Sequence, residues 1–259
     1  MYPYDLFLGI DLYEIMMMLG FIGALVYLRV LFDRIGYRAR FQNLCIASAF
    51  FALVGGYFFS VLTQAVYNAI ESGTFRISQD TGATFYGGLI GGAGAYLLVY
   101  FVGGRFLLEK GETKRNFWTM SSVAGGAVAL AHGFGRIGCA FAGCCHGKVT
   151  DSWFSIYNVG LHARTVPVQL METAFLFLLC AYLTWNTLRG KRNSLSLYLM
   201  LYAVWRFVIE YLRADERGAT VVSFLSPSQL TAILLLIVGV LIFFLERKGS
   251  AARGDAHEA

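Results

Sequence analysis

Apolar residues in this chain come in long, almost unbroken runs, with polar and basic residues gathered in short clusters between them. Seven runs stand out: 12–32, 44–70, 85–102, 117–141, 166–188, 194–212 and 229–245. A run of about 20 apolar residues spans a ~30 Å hydrocarbon core as an α-helix. The pattern therefore predicts an all-α, polytopic integral membrane protein with seven transmembrane helices. The third run opens with "YGGLIGGAGA" (86–95), so its first turns are expected to be irregular or tightly packed. No stretch alternates with the period of two that a transmembrane barrel needs. No internal repeat stands out. Residues 1–248 read as one membrane domain, and the tail "GSAARGDAHEA" (249–259) as disordered. The first run lacks a basic flank and a small-residue cleavage site, so it is expected to stay as a span rather than be removed as a leader.

Composition agrees with the pattern: 57% of residues are hydrophobic and only 14% charged, against about a quarter charged in soluble domains. Lysine and arginine then give the orientation. Arg29, Arg34, Arg38 and Arg40 lie in the first connection, and Arg105, Lys110, Lys114 and Arg115 in the third. Arg189, Lys191 and Arg192 lie in the fifth, and Arg247, Lys248 and Arg253 follow the last run. The alternate connections hold only Arg76, Lys148, Arg164, Arg213 and Arg217. The basic side is cytoplasmic, which puts the N-terminus outside and the C-terminus inside. The net charge of +5 is thus topological and implies no nucleic-acid partner.

Counting from each entry point gives the depth of the polar residues. Arg136 lies ~28 Å along the fourth helix, near the outer boundary. Cys139 follows one turn later on the same face. Tyr202, Arg206, Glu210 and Arg213 are spaced by four, four and three, which draws one polar stripe up the sixth helix. The inward-running helices open with polar groups at the same level: Asp11, Tyr13 and Glu14; Tyr86; Gln169 and Glu172; Ser228 and Gln229. Polar groups are expected to gather in the outer half and to be nearly absent from the inner half. Arg136 has no acidic residue three or four positions away, and an intramembrane arginine ordinarily faces a cavity, a substrate or a partner. Arg206 has Glu210 on its own face and can equally be read as a structural ion pair. Arg213 and Tyr13 can serve as interfacial anchors. Gly87, Gly88, Gly91 and Gly92 suit close helix packing, and a glycine run at a helix entrance also leaves N–H groups for an anion.

The stretch "HGFGRIGCAFAGCCHG" (132–147) ends in a cluster of thiols. Paired C-x-x-C spacing is absent, and neighbouring thiols at 144 and 145 rarely serve one ion. No metal and no cofactor is therefore expected. A disulfide between helix-end thiols or a packing role remains open for Cys139, Cys144 and Cys145.

With these residues in view, the chain resembles the prolipoprotein diacylglyceryl transferase family from its first helix to its last. The family's "GRIG" signature appears in "GRIGCAFAGCCHG" and carries the family's essential arginine onto Arg136. Its "HGGLIGG" reads "YGGLIGG", its "HPxQLYE" reads "VPVQLME", and its "YxxxRxxxExxR" stripe reads "YAVWRFVIEYLR", carrying a second functional arginine onto Arg206. Tyr13 matches the helix 1 tyrosine of the family.

The resemblance implies a seven-span enzyme of the bacterial cytoplasmic membrane. Its reaction moves the diacylglyceryl group of phosphatidylglycerol to the lipobox cysteine of a prolipoprotein and releases glycerol-1-phosphate. It implies that Arg136, Arg206 and Tyr86 act in catalysis. Substrate binding would fall to Arg136 with Tyr13, Gly87, Gly88, Gln169, Glu172, Tyr202, Glu210 and Arg213. The partners implied are phosphatidylglycerol, the signal-peptide segment of the acceptor and the surrounding lipids.

This chain departs from the family pattern at four positions. Tyr86 and Val166 stand where the family has histidines, Cys139 where it has asparagine, and Cys144 where it usually has glutamate. A phenol is a poor base for a thiol, so His146, in the same outer turn as the thiols, is expected to take the proton. A related transferase with another acceptor, a transporter of an anionic solute and a thiol-redox protein are the alternative classes.

Overall fold

Inside a bilayer every backbone polar group must be satisfied within the segment itself, and long apolar runs meet that demand as helices. The structure, a computed structural model, describes residues 5–7, 9–78, 81–214 and 224–254. Among them the helices are α1 (Leu12–Arg34), α2 (Ala39–Ser72), α3 (Phe85–Leu107), α4 (Glu112–Ala142), α5 (Val168–Leu188), α6 (Ser194–Ile209) and α7 (Pro227–Gly254). A 3-10 turn, Glu210–Leu212, extends α6. Two short antiparallel pairs complete the elements: β1 (Asp5–Phe7) with β2 (Ile10–Asp11), and β3 (Ile156–Asn158) with β4 (Ala163–Thr165).

Among the described residues six helices are long and apolar enough to cross a membrane, α4 being the exception. Large apolar side chains such as Met18, Ile22, Phe58, Ile90, Leu98, Leu178 and Leu241 stand exposed along them, a surface that only lipid or a partner suits. The shortfall in α4 has a structural reason. Its Met120, Ser121, Ser122, Val123, Ala127 and Ala129 are buried against protein, so small and polar residues replace lipid-facing ones there.

Helices also outrun their apolar runs where backbone bonding continues into polar flanks. The helix α2 starts five residues before its run and stops at Gly73, whose φ of 73° makes the left-handed cap that returns its N–H to Ala69. The helix α7 continues to Gly254. Residues 255–259 of the tail and 215–223 of the connection before α7 lie outside the described residues.

The chain forms two compact units, residues 28–117 and residues 1–27 with 118–259. In the first, α2 and α3 lie against each other at very short range. A Cβ on Gly91 would come within 2.3 Å of the Phe59 side chain. The "YGGLIGG" stretch is thus a regular helix whose glycines admit a neighbouring helix. Phe32, Tyr37, Phe41 and Tyr100 close one end of this unit edge to face.

In the second unit α4 lies among α1, α5 and α6. The hydroxyls of Tyr27 and Thr184 lie 2.8 Å apart, joining α1 to α5. Cys180 donates its S–H to the Gly126 carbonyl at 3.4 Å, joining α5 to α4. A Cβ on Gly125 would reach the Leu195 Cα at 2.9 Å, so α6 touches the backbone of α4. Ala129, Leu176, Leu179, Cys180, Leu183 and Tyr198 make the apolar centre of this unit. One end of that centre carries the polar residues described next.

Candidate active site

Arg136 is near the end of α4, and its acidic partner comes from another helix. Its Nε lies 3.1 Å from Glu172 Oε2 on the first turns of α5. The Glu172 side chain is 0% exposed and that of Arg136 15%. Tyr202 of α6 donates its hydroxyl to Glu172 Oε1 at 2.8 Å. Three helices therefore meet on one carboxylate. One turn back on α4, His132 shares a 3.0 Å hydrogen bond through Nδ1 with the Tyr198 hydroxyl. The His132 ring also meets Tyr202 edge to face at 4.8 Å, and Tyr198 and Tyr202 stack in parallel planes.

Further along the stripe, Arg206 Nη2 donates to Ser228 Oγ at 2.7 Å and lies 2.8 Å from Glu210 Oε2. Glu210 Oε2 also lies 3.9 Å from Arg213 Nε, and Ser226 donates to Glu210 Oε1 at 2.7 Å. Ser226 is fixed in turn by Gln229, whose Oε1 accepts the Ser226 N–H at 3.0 Å. Arg206 Nη1 is buried with no hydrogen-bond partner among the described residues. Arg136 and Arg206 thus each bring a largely buried guanidinium to this end, Arg136 held by Glu172 through Nε and Arg206 by Glu210 and Ser228 through Nη2.

The turn after α4 is held from three sides. Gly143 has φ of 75°. Its carbonyl accepts from Asn158 Nδ2 at 3.0 Å, and the Cys144 carbonyl from Gln169 Nε2 at 2.7 Å. The chain then runs beside the end of α6, where Lys148 N–H bonds to the Leu212 carbonyl at 2.9 Å. The Sγ atoms of Cys139, Cys144 and Cys145 lie within 4.8 Å of one another, and all three thiols are free. Hydrogen bonds from Cys139 and then Cys144, with Arg213 beside them, hold the Cys145 thiol below the usual thiol range although burial opposes the shift. His146 sits in the same turn, with Nδ1 3.2 Å from the Gly147 carbonyl.

Most of the residues singled out in the sequence are thus gathered at one end of one unit. Tyr13 belongs there too: its ring packs where a Cβ on Gly138 would be, 3.1 Å away, between Arg136 and Cys139 in sequence. Asp11 caps α1, accepting the Glu14 N–H at 2.9 Å. Val166 lies in an apolar cluster with Val168 and Ile209. Tyr86, Gly87 and Gly88 belong to the 28–117 unit; Tyr86 is exposed, and Gly87 and Gly88 face Thr63 and Ser60 of α2.

Sequence reasoning missed Tyr198, which continues the stripe one turn back from Tyr202 at the same spacing of four. It also missed Ser226, for which only its place before the α7 entrance gave a signal. The expectation of an inner half nearly free of polar groups is corrected. At the opposite end of the unit Ser122, Thr187 and Ser194 join their hydroxyls at 2.9–3.0 Å, with Asn186 bonded to Ser194 at 3.0 Å. Glu246 accepts from Ser196 there. These groups lie across the ends of α4, α5, α6 and α7, which apolar counting cannot reveal.

The chain is similar to known proteins over most of its length. The family profile described as "Prolipoprotein diacylglyceryl transferase" matches residues 4–245. The chain is 32% identical over 250 residues to a phosphatidylglycerol--prolipoprotein diacylglyceryl transferase of Clostridium tetani (strain Massachusetts / E88), covering 91% of this chain and 92% of that one. It is 32% identical over 259 residues to phosphatidylglycerol--prolipoprotein diacylglyceryl transferase 2 of Clostridium perfringens (strain 13 / Type A), covering 94% of each. A similarly named protein of Dehalococcoides mccartyi (strain ATCC BAA-2266 / KCTC 15142 / 195) is 29% identical over 256 residues, covering 94% of this chain and 91% of its own length.

Proposed function

The chain belongs to the prolipoprotein diacylglyceryl transferase family, and on that premise we propose that its buried arginines hold the phosphate of the lipid donor during transfer. The enzyme moves the diacylglyceryl group of phosphatidylglycerol to a prolipoprotein, a step of lipoprotein maturation. The acceptor atom is the thiolate of the lipobox cysteine. A sulfur–carbon bond forms at the glyceryl carbon, its carbon–oxygen bond breaks, and the electron pair stays on the phosphate oxygen. Glycerol-1-phosphate leaves, and the phosphate passes from one negative charge toward two.

The observation that carries this reading is the Arg206 guanidinium, whose Nη1 is buried with no hydrogen-bond partner among the described residues, at the end of the unit that also holds Arg136. Fixed positive charge in a water-poor site stabilises charge that develops on the leaving phosphate. A guanidinium keeps its proton there and presents a planar fork to phosphate oxygens. Glu172 engages Arg136 through Nε, which suits presentation of the terminal nitrogens to the lipid. Arg206 Nη1 would be the second donor. Glu172, braced by the Tyr202 hydroxyl, and Glu210 hold the two arginines in place, while Tyr13, Gln169 and Arg213 border the same end.

His146 is the group we assign to the acceptor proton, since imidazole is the side chain suited to neutral-pH proton transfer. The pH–rate profile of His146→Gln decides this. Loss of its acid limb with a fall of about 10²-fold supports the assignment, and an unchanged profile removes it. Seven spans, with α4 enclosed among its neighbours, would put the site at the outer face of the cytoplasmic membrane. The basic connections would then lie inside.

Binding of the donor tests the phosphate clamp. Arg206→Ala should lose affinity for phosphatidylglycerol vesicles or micelles together with transfer to a lipobox peptide. Undiminished lipid binding and transfer in that variant would overturn the reading.

A further inference from the structure

The thiol cluster has no part in the transfer described above, and its geometry points to a use of its own. Adjacent residues in an extended chain direct their side chains to opposite faces, so Cys144 and Cys145 would ordinarily look apart. Here Cys145 has φ of 56°, the left-handed conformation that a non-glycine residue rarely adopts, two residues after Gly143 at 75°. The turn doubles back, and both sulfurs meet Cys139, the three Sγ atoms lying within 4.8 Å of one another. Strain of this kind persists where the surroundings over-determine it. Hydrogen bonds to the carbonyls of Gly143, Cys144 and His146 from Asn158, Gln169 and Ala214 do so here.

We propose that Cys139, Cys144 and Cys145 form a three-coordinate site for a soft d10 cation of the Cu(I) class. An ion ~2.3 Å from each of three sulfurs in a plane needs them about 4 Å apart. The observed spacing requires a movement of less than about 1 Å to reach that, whereas a disulfide would need one pair to close to ~2.05 Å. Soft thiolates select Cu(I). A tetrahedral Zn(II) centre would want a fourth ligand, but the cluster found among the described residues contains three cysteines only. His146 turns its Nδ1 toward the Gly147 carbonyl instead.

On binding, the protons still held by the three thiols leave to solvent, and the thiolate–Cu(I) unit carries two negative charges. The guanidinium groups of Arg136 and Arg213 act on these same cysteines and offset that charge. Cys144 is exposed and supplies the entry side.

The test uses purified, reduced, detergent-solubilised protein kept anaerobic. Cu(I) is supplied against a chromophoric competing chelator, and X-ray absorption is recorded on the loaded protein. One equivalent bound by three sulfurs at ~2.2–2.3 Å is expected. Cys144→Ser should weaken binding by at least about 100-fold, and so should the Cys139→Ser/Cys145→Ser pair; unchanged elution of the exposed Cys144→Ser variant on size exclusion verifies its fold. Failure of the native protein to take up Cu(I) would overturn the proposal. Uptake unaffected by the substitutions would do the same, as would Zn(II) held more tightly than Cu(I). So would a Cys139 disulfide that reforms after reduction and excludes the ion.

Discussion

Replacing Arg136 separates its catalytic use from its structural one. Glu172 is fully buried and 3.1 Å from Arg136 Nε, so Arg136→Ala leaves a carboxylate uncompensated in the protein interior. That alone should cost about 3–5 kcal/mol of stability. Transfer should fall by about 10²–10³-fold, the cost of deleting one preorganised donor to developing charge, or ~2.7–4 kcal/mol in the barrier. The two losses come apart in Arg136→Ala/Glu172→Gln, where the residual carboxamide still accepts from Tyr202 and carries no charge. Thermal stability in detergent should largely return while transfer stays low. Arg136→Lys should retain much of the stability, because an ammonium still pairs with Glu172, yet transfer slowly without the fork. The assay is the mass gain of a lipobox peptide over time. Recovery of transfer in the double variant to within about threefold of Glu172→Gln alone would refute the clamp and leave Arg136 a structural partner of Glu172.

Membrane-impermeant thiol reagents applied to intact cells should label the connection between α4 and α5 through Cys144, and amine reagents should reach the "EKGETKR" loop only after lysis; the opposite sidedness would overturn the orientation. Gly91→Val should destabilise the α2–α3 pair by about 1–3 kcal/mol, because its Cβ would overlap Phe59; a melting curve unchanged from native would contradict the packing. Cys145 should alkylate faster at pH 7 than an ordinary thiol of equal exposure, since its lowered folded value raises the thiolate share. Its contribution to stability is complete above the unfolded thiol value of about 8.5 and is lost as pH falls toward the folded one. Arg213→Gln should restore part of the ordinary pH dependence, and a native rate falling about tenfold per pH unit below 8 would contradict the shift.

The helices were legible because long apolar runs have one solution in lipid. The exception, α4, was found by the same run-length argument although its composition is mixed, since its small residues still left an apolar stretch. The stripe from Tyr202 to Arg213 was legible because a spacing of four is a geometric statement about one helical face. Pairing between helices was not: Glu172 meets Arg136 through packing of α5 on α4, and nothing local to either residue encodes it. The polar network at the other end of the unit escaped notice for the same reason, its serines and threonines being unremarkable until helix ends bring them together. The closeness of the three sulfurs was not legible from spacing, because a left-handed residue at 145 overrides the alternation that neighbouring side chains ordinarily follow.

The central claim is diacylglyceryl transfer with cleavage at the glyceryl carbon–oxygen bond. Purified enzyme, phosphatidylglycerol and a lipobox peptide should yield thioether-linked diacylglyceryl peptide and glycerol-1-phosphate in equal amounts, with neither formed by Arg206→Ala. Peptide left unmodified while the lipid is consumed, or free glycerol released in place of glycerol-1-phosphate, would contradict the account.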